Sequence, residues 1–162
     1  MALHYILDGY NIIKKIPYLR NKKLKTAREQ LLKFIEIYRP QGSHKNQITV
    51  VFDGSDEVFV NAKCDYDART IFSRNQKADD FIKSFVDKSK NAKNICVVSD
   101  DKDIRLYCRA SGAIIIDVVS FMNKGTEPKR KNLSKEDNLD YLKISPSESA
   151  KITEELKSVW LK

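Results

Sequence analysis

The sequence predicts an α/β fold in which a central, mainly parallel sheet is flanked by helices on both faces. Three observations predict it. Short runs rich in Val and Ile recur along the chain, amphipathic helical stretches separate them, and the runs are apolar throughout, as strands covered on both faces are. At 162 residues the chain has the length of one domain, 1–162, large enough to bury well over half of its unfolded surface without covalent staples.

The strands read, in order, as LHYILDG at 3–9, QITVVFDG at 47–54, NICVVSDD at 94–101 and GAIIID at 112–117, with ARTIFSRN at 68–75 as a further short one. Between them, Leu24, Ala27, Leu31, Phe34, Ile35 and Tyr38 follow one helical face that Pro40 closes, and Ala78, Ile82, Phe85 and Val86 follow another. After IIIDVVSFM the chain turns polar and predicts a basic loop at 123–135. A last helix is expected at about 147–161, with Pro146 near its start, Ser147 as its cap and Ile152, Leu156, Val159 and Trp160 as its apolar face. There are no internal repeats.

Composition bounds the function. Three cysteines, Cys64, Cys96 and Cys108, are an odd number without C-x-x-C spacing, and MALHYILDGYN lacks the long apolar stretch of a signal peptide. The expectation is a cytoplasmic chain with reduced thiols. No apolar run approaches the roughly 20 residues of a membrane span. Thirty Lys and Arg against 22 Asp and Glu give a net charge of +8, which suits either a solvated surface or a polyanionic partner such as nucleic acid. His4 and His44 sit in no triad-like setting, there is no phosphate loop or G-x-G-x-x-G run, and Cys96 and Cys108 fall on core positions.

The acids separate these readings. In an open parallel sheet, ligands bind beyond the carboxyl ends of the strands. Asp8, Asp53, Asp100, Asp101 and Asp103 all fall there, while Asp79 and Asp80 open a helix, where the dipole favours them. Singly, such residues serve as caps or line solvated loops. Gathered together they repel one another unless a cation neutralises them, and oxygen donors alone point to Mg²⁺ or Mn²⁺ over zinc. An acidic pocket on a basic body is what a metal-dependent nuclease requires.

Four motifs carry a resemblance. ILDGYN at 6–11, VVFDG at 50–54, FSRNQKADDFI at 72–82 and VVSDDKDI at 97–104 resemble, in order and spacing, the signature of NYN domains in the PIN-like nuclease superfamily, above all its YacP-like branch. The likeness covers about residues 3–120. SDDKDI is also similar to the S-G-D-K-D-L run of flap endonucleases.

The resemblance implies a Rossmann-like PIN/NYN domain that hydrolyses single-stranded RNA, with messenger RNA and the ribosome among the implied partners. Its catalytic residues would be Asp8, Asn11, Asp79, Asp101 and Asp103. Asp8, Asp79 and Asp101 would anchor one Mg²⁺ or Mn²⁺ ion, assisted by Asp103 or Asp80; Asp53 and Asp100 are further helpers. The sequence shows no equivalent of the mid-chain Glu of many PIN nucleases, so one ion or two stay open. Its short tail also departs from the longer basic tail of YacP-like chains.

The basic run KKIPYLRNKKLKTAR at 14–28 follows the first motif, and Lys14, Lys15, Arg20, Lys22, Lys23 and Lys25 are candidates to hold RNA phosphates, as are Arg69 and Arg74 ahead of the A-D-D motif. Tyr18 offers a ring for stacking on a base. Two other readings stand beside the endoribonuclease: an inactive RNA- or ribosome-binding module, and a structure-specific 5′ nuclease on DNA. Nothing in the sequence requires a dimer.

Overall fold

Five short apolar runs build one sheet. The computed structural model of the chain describes residues 2–54, 68–74 and 76–126, and the sheet lies within a unit that closes at Gly125. Strand β1 (His4–Asp8) is central. β2 (Gln47–Phe52) and β3 (Ala68–Phe72) lie on one side, β4 (Ile95–Val98) and β5 (Ile114–Ile116) on the other, all parallel, in the order β3-β2-β1-β4-β5. The chain lays down β1, β2 and β3 outward and then returns past β1 to add β4, so the direction of winding reverses between β1 and β4. That crevice is where such sheets bind ligands.

Among the described residues six helices cover the faces: α1 (Gly9–Lys15), α2 (Pro17–Arg20), α3 (Leu24–Tyr38), α4 (Ala78–Asp87), α5 (Lys102–Ala110) and α6 (Val118–Thr126). Because side chains alternate along a strand, Ile6, Val51 and Val97 point to one face and pack on Ile82 and Val86 of α4 and Ile104 and Cys108 of α5. On the other face Tyr5 meets Phe121 of α6, with ring centroids 5.9 Å apart. A Cβ on Gly125 would stand 3.0 Å from Tyr38 and 3.1 Å from Phe34, so α6 approaches the last turns of α3 closely at this glycine. Among the described residues no helix is long and apolar enough to cross a membrane.

The strands and the helices α3 and α4 fall where periodicity placed them, with ends trimmed. β4 stops at Val98, releasing Ser99, Asp100 and Asp101 from the ladder. The 112–117 run supplies only three strand residues. Residues 123–126, read as the start of a basic loop, instead finish α6, because Val118, Phe121 and Met122 bury a helical face that carries the chain past Met122. The remainder of that loop, the helix at 147–161 and Cys64 lie outside the described residues. Cys96 and Cys108 are buried and free.

Gly9, between β1 and α1, is fixed by packing and not by its dihedrals. A Cβ there would come within 2.3 Å of the Phe52 ring. Gly9→Ala is therefore expected to lower stability by about 1–3 kcal/mol in urea denaturation, the usual cost of overpacking, and Phe52→Leu in the same chain should recover part of the loss.

Candidate active site

The sheet ends its two inner strands with acid. Asp8 closes β1 and is only 7% exposed. It caps α1, its Oδ1 accepting from the Asn11 backbone N–H at 3.2 Å, while its Oδ2 accepts from the Ser99 hydroxyl at 3.3 Å. Ser99, fully buried just beyond β4, also accepts from the Asp101 N–H at 3.1 Å. One serine hydroxyl thus joins the two loops that face each other across the crevice.

Asn11 makes a second tie. Its side-chain oxygen accepts from the Asp100 N–H at 3.0 Å, so this amide holds the backbone that carries the acids. Asp101 caps α5, accepting at Oδ1 from the N–H groups of Asp103 at 2.9 Å and Ile104 at 3.1 Å. Asp79 and Asp80 occupy the first turn of α4. Asp103 and Asp80 are exposed, in first turns where the helix dipole favours carboxylates.

The acids feel one another. Asp8, ordinarily near 3.8, is pushed up to about 6, by burial first and then by the charges of Asp79 and Asp101, against the two donors it accepts from. Asp79 is raised as well, by burial and then by Asp101, with Asp80 and Asp53 adding to it and Lys83 opposing. Asp8, Asp79 and Asp101 therefore form one electrostatic group drawn from β1, α4 and the β4–α5 loop.

A model of the YacP-like NYN domain matches residues 5–161. The chain belongs to that family, which is a family of nucleases. Two solved structures of Rae1 (YacP) from Bacillus subtilis share the fold of this YacP-like NYN domain. A tryptophan-to-leucine mutant is 24% identical, with a TM-score of 0.62 over 76% of this chain and 75% of that one. Another structure of the same protein is 23% identical, with a TM-score of 0.64 over 78% and 74%. Comparison with curated proteins gave no match.

Around the pocket of this YacP-like NYN domain, the other predicted residues sort themselves by position. Asp100 turns away from the pocket: its Oδ1 accepts from the Val118 N–H at 3.1 Å, capping α6, and its Oδ2 lies 3.3 Å from Lys15 Nζ. Lys15 thereby braces the acidic loop. Asp53, beyond β2, accepts from the Ser73 hydroxyl at 3.3 Å. Lys14, Arg20, Lys22, Lys23 and Lys25 are exposed along α1, α2 and the start of α3, with Lys22 Nζ 4.9 Å from the centroid of the Tyr18 ring.

The two arginines of the A-D-D approach part company. Arg74 follows β3 at the carboxyl end, its N–H donating to Gly54 O at 3.2 Å and its φ at +40°, a left-handed conformation that a non-glycine residue rarely holds. Arg69 pairs with Thr49 in the ladder and lines a cavity of about 310 Å³ with His4 and Gln47. Gln47 and His4 begin their strands, so this cavity lies at the amino end of the sheet, away from the acids. Nearness in sequence misled there, because β3 spans the height of the sheet.

The donor chemistry suits a hard divalent cation: the groups are carboxylates, burial and then their mutual repulsion raise Asp8 and Asp79, and both buried thiols lie in the core. Among the described residues, no three His, Cys, Asp or Glu side chains are gathered tightly enough to form a preassembled site, so ion binding would have to draw the carboxylates together. Sequence reasoning missed Ser99, which shows no signal beyond its place before Asp100, and it missed Tyr10 and Arg28, which are paired only in space.

Asp8 makes stability pH-dependent. An acid whose pKa is higher in the folded than in the unfolded chain favours folding fully while protonated in both, below about pH 4, and that advantage is lost as pH rises through about 6. The loss amounts to about 3 kcal/mol. In EDTA, Asp8→Asn should therefore gain thermal stability over wild type between pH 4 and 7; a gap in Tm that stays constant across that range would refute this account of the pocket.

Proposed function

We propose that this chain is a metal-dependent endoribonuclease that hydrolyses phosphodiester bonds of single-stranded RNA. The observation that carries the reading is the coupled trio Asp8, Asp79 and Asp101, held at the carboxyl end of a sheet whose chain bears a net charge of +8. Family membership supports it. The resemblance implies messenger RNA and the ribosome as the setting and the cytoplasm as the compartment, and these belong to the same proposal.

The residues divide the task. Asp8, Asp79 and Asp101 would hold Mg²⁺ or Mn²⁺, with Asp103 and Asp80 close enough in their first helical turns to assist directly or through water. The bound cation supplies charge neutralisation at the phosphate and makes water a stronger nucleophile at neutral pH. Asn11 contributes no charge; by fixing the Asp100 N–H it keeps the Asp101 carboxylate on the crevice side of its loop. Asp100 and Lys15 hold that loop from behind.

Lys14, Arg20, Lys22 and Lys23, exposed on α1, α2 and the turn before α3, and Arg74 after β3 would hold backbone phosphates near the bond to be cut. Water adds its oxygen to phosphorus as the bond to the 3′ oxygen breaks and that oxygen takes up a proton. The products carry a 5′ phosphate and a 3′ hydroxyl.

The test is incubation of end-labelled single-stranded RNA with wild type and Asp101→Asn, in Mg²⁺, Mn²⁺ or EDTA. Cleavage is expected with either metal, none in EDTA, and a loss of at least about 100-fold in Asp101→Asn. Cleavage that survives EDTA, or that is undiminished in Asp101→Asn, would overturn the proposal. Stronger cutting of a flapped DNA of matching sequence would favour the 5′ nuclease, and RNA binding without cleavage would favour the inactive module.

A further inference from the structure

Tyr10 follows Gly9 at the start of α1, and Arg28 lies in the second turn of α3. Neither takes part in the acidic pocket. Helix α3 carries Arg28 inward, where it is only 8% exposed, a rare place for a guanidinium. Its Cζ stands 5.5 Å from the centroid of Tyr10, 5.7 Å from that of Phe52 and 5.4 Å from that of Phe72. Phe52 and Phe72 stack on each other at 5.7 Å, and Tyr10 leans on Phe52 at 5.3 Å. A cation is thus boxed by the rings that end β2 and β3 and begin α1.

The polar contacts decide what this box can do. Arg28 Nε donates to the Tyr10 hydroxyl oxygen at 3.0 Å, and Nη2 donates to the same oxygen. A phenol has two lone pairs and one hydrogen. Both lone pairs are engaged by the guanidinium, so the hydroxyl can act further only by donating its own hydrogen, and among the described residues nothing accepts it. The cation behind the oxygen polarises the O–H bond and strengthens it as a donor. Tyr10 is half-exposed, two residues from Asp8, on the β2 side of the carboxyl end where Asp53 and Arg74 also stand.

We propose that Tyr10, locked by Arg28, is a substrate-contacting residue whose hydroxyl donates to a backbone phosphate oxygen of single-stranded RNA beside the bond to be cut. A phosphate oxygen only accepts, which matches a group that can only donate. Arg28 is the positioning residue: it fixes the direction of the donor without touching the strand. The proposal rests on the reading of RNA as substrate.

Two readouts separate it from that reading. Fluorescence anisotropy with a labelled single-stranded RNA in EDTA gives Kd, and cleavage in Mg²⁺ gives KM and kcat. Tyr10→Phe keeps the ring and removes only the donor; it is expected to raise Kd and KM about 5- to 10-fold with kcat and Tm nearly unchanged. Arg28→Met should raise Kd by a similar factor and also lower Tm. The double variant should bind no more weakly than Arg28→Met alone, because lock and donor act as one unit. Arg28→Lys, lacking the two-pronged grip on one oxygen, should not restore Kd.

Unchanged Kd and KM in Tyr10→Phe, or additive effects in the double variant, would overturn the contact, and so would the absence of any RNA binding by wild type. Binding that depends on Tyr10 without cleavage would uphold the contact and overturn only the nuclease. Cleavage with a KM indifferent to Tyr10 would do the reverse.

Discussion

Asp8 ends the central strand almost wholly out of water, and its carboxylate persists there because the Asn11 N–H and the Ser99 hydroxyl donate to its two oxygens. Hydrogen bonds to a charged group contribute about 1.5–3 kcal/mol each, and burial without them is disfavoured by more. The rest of the site follows from those two donors. Ser99 is also the acceptor for Asp101, Asn11 the acceptor for Asp100, and Asp100 in turn caps α6 and meets Lys15. From Asp8 outward, each group that satisfies one acid also places the next.

The chain combines opposite electrostatic demands at two ranges. Its net charge would draw a polyanion from a distance, and the lysines of α1, Arg20 of α2 and the lysines of the turn after it stand exposed to add to that field. Close in, the acids would repel the same phosphates. A positive charge set between the carboxylates and a bound phosphate would reconcile the two, and Lys15, bonded to Asp100, does not supply it. Salt screens the outer attraction far more than the buried repulsion, so ionic strength should act mainly on association.

The inner strands were legible because four or five consecutive apolar residues, buried on both faces, leave a signal that nothing else in the chain imitates; α3 and α4 were legible by their 3.6-residue stripe. The short helices were not. α1 and α2 are cut apart at Pro17, α5 opens inside the acidic run, and α6 hides behind three isoleucines of β5. Sequence put Asp8 at a strand end, Asp79 at a helix start and Asp101 after another strand, and the structure sets their charges within reach of one another, since strand ends in a parallel sheet share one edge. It ranked Asp101 above Asp100 through the family resemblance, but it did not see that Asp100 caps α6 and meets Lys15, nor that Arg69 sits a strand's length from Arg74. Ser99, Tyr10 and Arg28 act through partners far away in the chain, which no local pattern encodes.

Strand β4 pairs with β1 in the middle of the sheet, and the Ser99–Asp8 bond closes a gap of 91 positions. Such non-local pairing is slow to form, because loop-closure entropy is lost before the contact is gained. During synthesis Asp8 emerges first, and Asp79, Ser99 and Asp101, which bear on it, follow only much later in the chain. A chain still without β4 holds Asp8 without the Ser99 donor. The completed fold, and no local segment of the chain, is what assembles the group.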